Sequence, residues 1–438
     1  MSAPSPSRAA LVPTPRLIRD PSWERRALGS AVRRARAELL ARLDGAPPSN
    51  DVARVLELAY DAVPFYQRLF ARLAIGRRDL RDPRVLAAIP RTTRGELGAH
   101  GVGDFLVHPI DDLALDRGWL GKTSGSTGEP VSYLRDPSTL AWFWSFLDFV
   151  LAYVQRPPVR RGARFGVVLL DALAHMPEYD AELPLFHGAR FAKRSIERGD
   201  RSLRDELVTL APHVITGDPD SLSPLARLDL PKGARPSLVV SSAFAMPASQ
   251  KRAIEHATSA AVIEYYGAQE TSVIGVECRR GHGFHPLTCH VKSREGELLV
   301  TPLRARSFVL VHYAPGDLGR VIDDGLRCPC GLRAPRIVEL HGRADARFVG
   351  ADGSQFSPGA LTPLLARLPI EEHQLVQRDA SRYLLRYRAT SELGAEALAA
   401  LRTRLRELSR VEIAITLERS DRLHHAGRKP TPFVTERS

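Results

Sequence analysis

Residues 122–130 form a glycine- and hydroxyl-rich stretch with the residue types of an anion-binding loop. Their sequence is Lys-Thr-Ser-Gly-Ser-Thr-Gly-Glu-Pro. Glycine lets the backbone turn tightly and bring successive N–H groups close to one anion, while hydroxyl groups and a lysine add donors that suit phosphate oxygens. An ordinary surface turn between two strands has the same composition. The spacing differs from a Walker-type loop, because Asp116 stands where that loop needs a glycine.

Cysteine and histidine residues in the second half of the chain form another candidate site. Cys278, His285, Cys328 and Cys330 would give a Cys₃His set suited to a closed, tetrahedral zinc site, with His282 or Cys289 as replacement ligands. The single residue between Cys328 and Cys330 is a tighter spacing than zinc sites usually have. Free, buried cysteines in a reducing compartment are the alternative interpretation.

Composition narrows the class of protein. With 438 residues the chain predicts two or three domains, and 44% hydrophobic and 26% charged residues are typical of a soluble globular protein. The net charge of +12 comes mostly from scattered arginines without interleaved aromatic residues, so we expect no nucleic-acid partner. No secretory signal is visible, and the longest apolar run, 140–154, contains Ser145 and Asp148. We therefore expect a cytoplasmic protein without a membrane partner.

Strand-like and helical segments alternate through the middle of the chain. A helical pattern covers 23–73, and a strand at 131–134 precedes a helix that ends near Val154. Further apolar strands are predicted at 165–170, 214–216, 237–241 and 261–265, with helices at 202–210 and 248–256 between them. This alternation predicts a largely parallel α/β sheet, whose ligands sit beyond the carboxyl ends of the strands. Shorter β segments follow at 297–301 and 307–312.

The last 90 or so residues have the pattern of a separate small α+β unit. A Gly/Ser/Pro-containing loop at 350–359 is followed by a helix at 360–368 and strands at 373–377 and 383–388. A long helix at 394–408 and a strand at 411–417 complete a βαβ-type arrangement.

Five separated motifs carry a resemblance to a known family. They are the stretch 122–130, Tyr-Tyr-Gly-Ala-Gln-Glu at 265–270, Gly-Asp-Leu-Gly-Arg at 316–320, Gly-Arg-Ala-Asp at 342–345, and Lys429. In this order they resemble the adenylate-forming superfamily of acyl-CoA synthetases and adenylation domains, and within it the phenylacetate–coenzyme A ligase group. The resemblance covers residues 89–434.

That resemblance implies a large N-terminal α/β domain and a small, mobile C-terminal α+β domain. The expected divisions are a flexible arm at 1–20, an ATP- and acid-binding domain at 21–343, a hinge at 344–345 and a lid domain at 346–438. Asp345 would be the hinge residue on which the small domain rotates. Whether the protein is a monomer or a homodimer stays open.

The resemblance also implies a site for ATP. The glycine loop would hold the β- and γ-phosphates, Tyr266 would lie by the adenine, and Gly267 would let the base approach the backbone. Gln269 would donate to the α-phosphate or to the acid, Asp317 would accept hydrogen bonds from the ribose hydroxyls, and Arg343 would contact ribose or phosphate. A core tyrosine and an ordinary Asp turn are the alternatives for Tyr266 and Asp317. The loop residues concerned are Thr123, Ser124, Gly125, Ser126, Thr127 and Gly128.

The resemblance implies catalytic roles for two further residues, Glu270 and Lys429. Glu270 would hold Mg²⁺, a hard cation that prefers carboxylates, and Lys429 would stabilise the negative charge that develops as a carboxylate attacks the α-phosphate. The implied reaction has two steps: an acid and ATP give an acyl-adenylate and pyrophosphate, and after the small domain rotates a nucleophile displaces AMP. A solvated loop acid and a solvated tail lysine are the alternative interpretations.

Some positions depart from the family pattern and leave the acceptor open. Gln269 replaces a threonine, an arginine is missing from 311–315, and the loop at 350–354, which helps shape the thioester-forming state, is divergent. We expect coenzyme A as acceptor; an amine or hydroxyl acceptor in specialised metabolism, or a carrier-protein thiol, is the alternative. A non-catalytic nucleotide-binding protein is the alternative of another class.

The acid itself is less clearly specified. Phe244, Tyr265 and Ala268 fall in segments that line the substrate pocket in the family. The aromatic rings of Phe244 and Tyr265 would suit an aryl acid, and another small carboxylic acid is the other substrate class considered.

Overall fold

A computed structural model describes most of the chain. The described residues are 23–46, 52–107, 119–123, 131–135, 137–157, 166–171, 178–183, 189–340, 348–356, 358–365, 368–370, 372–420, 423 and 433–436. Among them, no helix combines the length and apolar character needed to cross a membrane.

The helices are concentrated in the N-terminal third and on the faces of the sheets. In chain order they are α1 (Trp23–Ala41), α2 (Val52–Ala62), α3 (Pro64–Arg72), α4 (Pro83–Ala88), α5 (Arg94–His100), α6 (Pro137–Tyr153), α7 (Asp200–Leu210), α8 (Pro219–Leu222), α9 (Ala248–Thr258), α10 (Thr362–Leu365) and α11 (Ala395–Ser409).

The strands fall into two groups along the chain. Those before residue 340 are β1 (Thr92–Thr93), β2 (Trp119–Lys122), β3 (Ser132–Arg135), β4 (Val167–Asp171), β5 (Tyr179–Leu183), β6 (Ala189–Ser195), β7 (Val214–Gly217), β8 (Leu238–Ser241), β9 (Ala261–Ala268), β10 (Ser272–Glu277), β11 (Phe284–Pro286), β12 (Cys289–Arg294), β13 (Glu297–Pro302), β14 (Tyr313–Ala314), β15 (Arg320–Ile322) and β16 (Arg336–Val338). The later strands are β17 (Phe348–Val349), β18 (Gln355–Phe356), β19 (Glu372–Gln377), β20 (Arg382–Arg388), β21 (Ala414–Arg419) and β22 (Phe433–Thr435).

A ten-stranded sheet, in the order β15-β16-β11-β10-β9-β8-β7-β4-β6-β5, forms the centre of the larger part. The five adjacent strands β6, β4, β7, β8 and β9 are parallel, and antiparallel strands extend the sheet on both sides. Strands β7 and β8 are buried along their whole length, as apolar runs covered by helices on both faces should be. The prediction of a parallel sheet is confirmed for these five strands, whereas the flanks are antiparallel.

Two local predictions need correction. The helical pattern at 23–73 is divided into α1, α2 and α3, and Pro64 begins the third helix, where its missing N–H costs nothing. The strand predicted at 307–312 is wrong: strand β14 begins only at Tyr313. The segment before β14 bonds instead to the turn around Phe105, with Val309 N donating to Phe105 O at 3.0 Å and Val107 N to Ser307 O at 2.9 Å. Its apolar run is explained by burial in the N-terminal core.

The C-terminal residues have a hydrophobic core of their own. A four-stranded sheet in the order β21-β20-β19-β22 pairs β19 antiparallel to β20, and β20 parallel to β21 through the α11 crossover. Phe348, Leu375, Leu385, Leu401 and Leu405 are buried between this sheet and its helices. The predicted βαβ arrangement is therefore present. The boundary proposed at 343–346 lies outside the described residues and stays a prediction.

Candidate active site

The carboxyl end of β9 carries Tyr266, Gly267 and Ala268, and a tight turn through Gln269, Glu270 and Thr271 leads into β10. At Gly267 an added Cβ would lie 2.7 Å from Ser272 O, so this close strand approach requires glycine. The pairing between β9 and β10 also shifts register beside it. The local geometry thus places consecutive polar residues at the edge where ligands of parallel sheets sit.

Three tyrosine hydroxyls hold the polar residues predicted to bind ATP and Mg²⁺. Tyr266 Oη donates to Asp317 Oδ2 at 2.8 Å, Tyr313 Oη donates to Glu270 Oε1 at 2.9 Å, and Tyr133 Oη donates to Gln269 Oε1 at 2.9 Å. The tyrosines come from β9, β14 and β3, so three separate segments of the chain converge on this edge.

Tyr313 is fixed by the N-terminal helical region. It is buried on β14, which pairs in parallel with β1 through Thr92. Tyr66 of α3 lies within 3.0 Å of Thr92 Oγ1 and accepts a hydrogen bond from Val311 N at 2.6 Å. Burial raises the pKa of Tyr66 far above its ordinary value, and it therefore stays a neutral hydroxyl. The N-terminal region thereby determines where the partner of Glu270 stands.

Asp317 lies in a turn that the chain secures at both ends. Gly316 has φ of +90°, a conformation that glycine adopts without strain. The backbone of Asp317 accepts a hydrogen bond from Leu298 N at 2.9 Å, and Gly319 N donates to Gly296 O at 2.8 Å. Tyr266 is bonded to one carboxylate oxygen of Asp317, which is a half-buried residue.

The glycine-rich stretch begins at the end of a hairpin formed by β2 and β3. At its base, Thr123 N donates to Val131 O at 2.9 Å and Val131 N donates to Thr123 Oγ1 at 3.1 Å. Arg94, the first residue of α5, donates to the same hydroxyl at 2.5 Å. A cation therefore stands beside the predicted phosphate loop, although the sequence pattern did not single it out.

Other predicted site residues fall on parts of the chain that the structure leaves undescribed. These are Ser124, Gly125, Ser126, Thr127, Gly128, Arg343, Asp345 and Lys429. Their roles stay predictions.

The residues predicted to line the acid pocket are distributed around β9. Tyr265 faces the opposite side of the strand from Tyr266 and packs edge-on against Phe143 and Phe146 of α6, at ring-centroid distances of 6.4 and 5.5 Å. Ala268 is half-buried at the end of β9. Phe244 is half-buried in the loop after β8, and no ring contact among the described residues joins it to Tyr265. The structure therefore adds α6 to the aromatic surroundings of Tyr265.

The carboxyl group of a half-buried glutamate, Glu264, supports the loop that carries Phe244. Glu264 Oε1 accepts a hydrogen bond from Met246 N at 2.8 Å. Burial, together with the neighbouring charge of Glu277, raises the pKa of Glu264 to about 7. Lys251 Nζ contacts both carboxylate oxygens of Glu277, at 2.6 and 2.7 Å, and Glu264 N donates to the same group at 2.9 Å. The sequence pattern did not indicate this network.

The four residues of the predicted Cys₃His set come together at the other end of β10. The ligand atoms of Cys278, His285, Cys328 and Cys330 all lie within 4.8 Å of one another, and all four residues are buried. Cys278 Sγ is 3.7 Å from Cys328 Sγ, close to the edge of about 3.8 Å expected for tetrahedral zinc with Zn–S bonds of about 2.3 Å. Cys330 Sγ is 3.3 Å from His285 Nε2. The donor set and spacing fit zinc.

Neighbouring groups favour the same arrangement. His285 Nδ1 lies 3.2 Å from Pro335 O, so an Nδ1–H donor would leave Nε2 facing the cysteines, as in metal-bound histidines. The alternative ligand His282 lies outside the four, with Nδ1 3.4 Å from Cys328 Sγ. Cys289 lies on β12, with Sγ 3.8 Å from Val273 O, and belongs to a different core cluster from the other cysteines.

His312 occupies part of the segment in which the family arginine is missing. It is fully buried, its Nδ1 lies 3.2 Å from Ile89 O, and burial lowers its pKa to about 4. A neutral imidazole therefore stands beside Tyr313 in place of a cation.

The sequence and the fold were compared with those of known proteins. No protein-family model matches the chain. In sequence it is 24% identical over 355 residues to the phenylacetate-coenzyme A ligase of Thermus thermophilus, a match that covers 74% of this chain and 76% of the relative.

Solved structures give a likeness of fold. The 2-hydroxyisobutyryl-CoA ligase in the postadenylation state in complex with R3-HIB-AMP matches with a TM-score of 0.64 and 18% identity, over 91% of this chain and 89% of its own. An open conformation of that ligase in complex with 2-HIB-AMP and CoA gives a TM-score of 0.55 and 19% identity over 91% of both chains. The predicted α/β fold class and the resemblance are confirmed: the chain shares the fold of the 2-hydroxyisobutyryl-CoA ligase and is similar in sequence to a phenylacetate-coenzyme A ligase.

Proposed function

We propose that the protein is an ATP-dependent, AMP-forming ligase that activates a small carboxylic acid as its acyl-adenylate and transfers the acyl group to coenzyme A. The observation that carries this proposal is the convergence of Gln269, Glu270 and Asp317 at the carboxyl end of β9, each held by a tyrosine hydroxyl. The similarity to a phenylacetate-coenzyme A ligase supports the reaction class.

In the first step, the carboxylate of the acid attacks the α-phosphorus of ATP and pyrophosphate leaves. Asp317 accepts hydrogen bonds from the ribose hydroxyls, while its other oxygen stays bonded to Tyr266. Gln269 donates to an anionic oxygen at the reacting centre, and the glycine loop at 122–130 holds the leaving phosphates. Fixed donors of this kind stabilise charge that develops in the transition state.

Two charged residues have proposed roles in the same step. Glu270 would hold Mg²⁺ through the carboxylate oxygen that Tyr313 leaves available, and the ion would neutralise phosphate charge. Lys429 would approach from the small domain and stabilise the pentavalent phosphorus. Rotation about the hinge at Asp345 would then remove the lysine and admit the acceptor.

The acceptor and the acid are proposed from different evidence. Coenzyme A is favoured because the sequence relative is a coenzyme A ligase. An aryl acid is favoured because Tyr265 lies among the aromatic rings of α6, with Phe143 and Phe146 as its neighbours. An amine or hydroxyl acceptor, which the divergent loop at 350–354 leaves open, is the second outcome of the test below.

We also propose that Cys278, His285, Cys328 and Cys330 hold a structural zinc ion. The cluster ties the turn after β10 to the loop between β15 and β16. It is buried and contains four protein ligands, so it would leave no position for substrate, and its role would be stability.

Acid-dependent exchange of labelled pyrophosphate into ATP tests the first step. We expect exchange with at least one member of a panel of aryl and short aliphatic acids, and loss of exchange in Lys429→Ala with ATP binding retained. Folded protein that exchanges with no acid would reject the enzymatic proposal in favour of a non-catalytic nucleotide-binding protein. Incubation of the active acid with coenzyme A or with amines then identifies the acceptor; an amide without a thioester would reject coenzyme A.

A further inference from the structure

Gln269, which replaces the threonine usual in this family, is held by two residues of strand β3. Tyr133 Oη donates to Gln269 Oε1 at 2.9 Å, and Arg135 Nη2 donates to the same oxygen at 3.1 Å. Arg135 Nη2 also lies 3.3 Å from the backbone oxygen of Gln269. Both residues follow directly on the glycine-rich stretch, so the strand leaving the phosphate loop determines the position of this side chain.

These contacts fix the orientation of the glutamine amide. A side-chain amide has an oxygen that only accepts and a nitrogen that only donates. Two donors lie against Oε1, so the orientation of the amide with its oxygen towards β3 is favoured. The flipped orientation would place the –NH₂ group against the Tyr133 hydroxyl and the Arg135 cation. The –NH₂ group of Gln269 is thereby turned away from β3, as a donor at an exposed position of the β9–β10 turn.

Tyr133 is itself rigidly placed. Its side chain is buried, and its ring lies against Gly121 of the paired strand β2, where an added Cβ would be 2.4 Å from the ring. Burial raises the pKa of Tyr133 above its ordinary value, so the phenol remains a protonated donor at neutral pH. The guanidinium of Arg135 lies 5.4 Å from the centre of the same ring and is held over it by a cation–π contact.

We propose that Tyr133 and Arg135 are positioning residues that orient Gln269, so that its amide nitrogen donates to an anionic oxygen at the reacting centre during adenylation. This inference rests on the proposed function. The oxygen belongs either to the carboxylate of the acid or to the α-phosphate of ATP. A threonine hydroxyl can rotate to donate without such support, whereas the longer glutamine needs partners that hold its oxygen.

A double-mutant cycle in pyrophosphate exchange tests the proposal. Tyr133→Phe should lower kcat about tenfold, the effect of a lost hydrogen bond of roughly 1.4 kcal/mol. In a Gln269→Ala background, Tyr133→Phe should change kcat less than about twofold, because the group it orients is gone. In a Gln269→Thr background the added Tyr133→Phe should again have little effect, since the hydroxyl needs no external support.

Arg135→Met provides an independent second arm, and it should likewise lose its effect in the Gln269→Ala background. Tyr383→Phe is the matched control, because Tyr383 accepts a hydrogen bond from Gln377 Nε2 at 2.8 Å in the C-terminal sheet, away from the site. It should leave kcat unchanged. Melting temperatures of all variants establish that assays compare folded protein.

The kinetic constants identify the oxygen that Gln269 contacts. A rise in the KM of the acid together with the fall in kcat would assign the carboxylate, whereas a fall in kcat with both KM values unchanged would assign an oxygen on the α-phosphate that becomes charged in the transition state. Equal, multiplicative losses from Tyr133→Phe with and without Gln269 would overturn the positioning role while leaving the ligase proposal standing. A wild-type protein without exchange would reject the ligase proposal and this inference with it.

Discussion

The two ends of strand β10 hold two chemically different clusters, separated by roughly 17 Å of strand. At its start, Gln269, Glu270 and Asp317 lie at a half-exposed rim and are held by tyrosine hydroxyls. At its end, Cys278 and three partner residues lie fully buried with their ligand atoms facing one another. The first cluster is partly accessible to a ligand from outside, whereas the side chains of the second cluster are buried and converge on one another.

One strand, β10, thus joins a polar cluster that is partly accessible to a ligand and a buried cysteine and histidine cluster. Tyrosine hydroxyls orient the carboxylates of Glu270 and Asp317, the two groups proposed to bind Mg²⁺ and ribose, by hydrogen bonding. The cysteine and histidine cluster, in contrast, fits a cation that would fix the turn after β10 and the loop between β15 and β16. We therefore expect substitutions at the first end to affect catalysis, and at the second end to affect stability.

The largest expected effect concerns the buried cluster. Cys330→Ala should reduce zinc content from about one equivalent to near zero. Its melting temperature should fall by about 10 °C, corresponding to roughly 3–5 kcal/mol for a domain of this size. Elemental analysis of protein purified without chelator and differential scanning calorimetry provide the measurements. Exchange activity of the folded fraction should change less than threefold, and a much larger loss at retained stability would contradict a purely structural role.

At the rim, Glu270→Gln should lower kcat about a hundredfold, because the neutral amide binds Mg²⁺ weakly. Tyr313→Phe should cost only about tenfold, since it removes one hydrogen bond to the same carboxylate. Titration of exchange activity with Mg²⁺ is the diagnostic measurement. We expect a higher Mg²⁺ requirement in Tyr313→Phe, with unchanged melting behaviour; a requirement equal to wild type would show that the hydroxyl does not tune this carboxylate.

Glu264 on β9, whose backbone N–H donates to Glu277 at the end of β10, gives a prediction for stability against pH. Its pKa is raised from 4.5 to about 7 by burial and by Glu277, so the native state retains a proton that the unfolded chain releases above pH 4.5. The contribution of Glu264 to stability is present below pH 4.5 and is lost as pH rises through 7. Lys251 and Glu277 are the charged groups that face it.

Glu264→Gln should remove this loss. The free energy of unfolding in urea is measured for the variant and for wild type at pH 5 and pH 8. The difference, variant minus wild type, should be about 1–3 kcal/mol larger at pH 8 than at pH 5. Glu412→Gln, at a highly exposed glutamate, is the matched control and should show no such change. A constant difference between wild type and Glu264→Gln across this range would contradict a raised pKa.

The sequence predicted one part of this organisation well. Apolar runs bounded by turns located β7, β8 and β9, and the order of the motifs indicated the fold. The four predicted cysteine and histidine residues also come together. They could be chosen from the sequence because few residues of the chain have side chains that bind zinc. These predictions succeeded where the information was local or where a motif had a known partner.

The contacts that hold the site were not predictable in the same way. Tyr133 and Gln269 are 136 residues apart, and Tyr313 and Glu270 are 43 apart, so no local pattern pairs them. In the sequence Tyr133 is an ordinary strand residue, because a tyrosine ring packs in a core whether or not its hydroxyl bonds to a site residue. The apolar segment before Tyr313 has the composition of a strand, because burial on several sides and membership of a sheet favour the same residue types.

The smallest expected effect separates the four-residue cluster from the remaining cysteine. Burial raises the pKa of the Cys289 thiol to about 12, and its sulfur lies beside Val273 O in another core cluster. The four ligand atoms that lie within 4.8 Å of one another do not include the sulfur of Cys289. Cys289→Ala should therefore keep one equivalent of zinc and cost about 1 kcal/mol of stability, as an ordinary core substitution does. Loss of the metal in Cys289→Ala, measured beside Cys330→Ala under the same purification, would replace the proposed ligand set with one that includes Cys289.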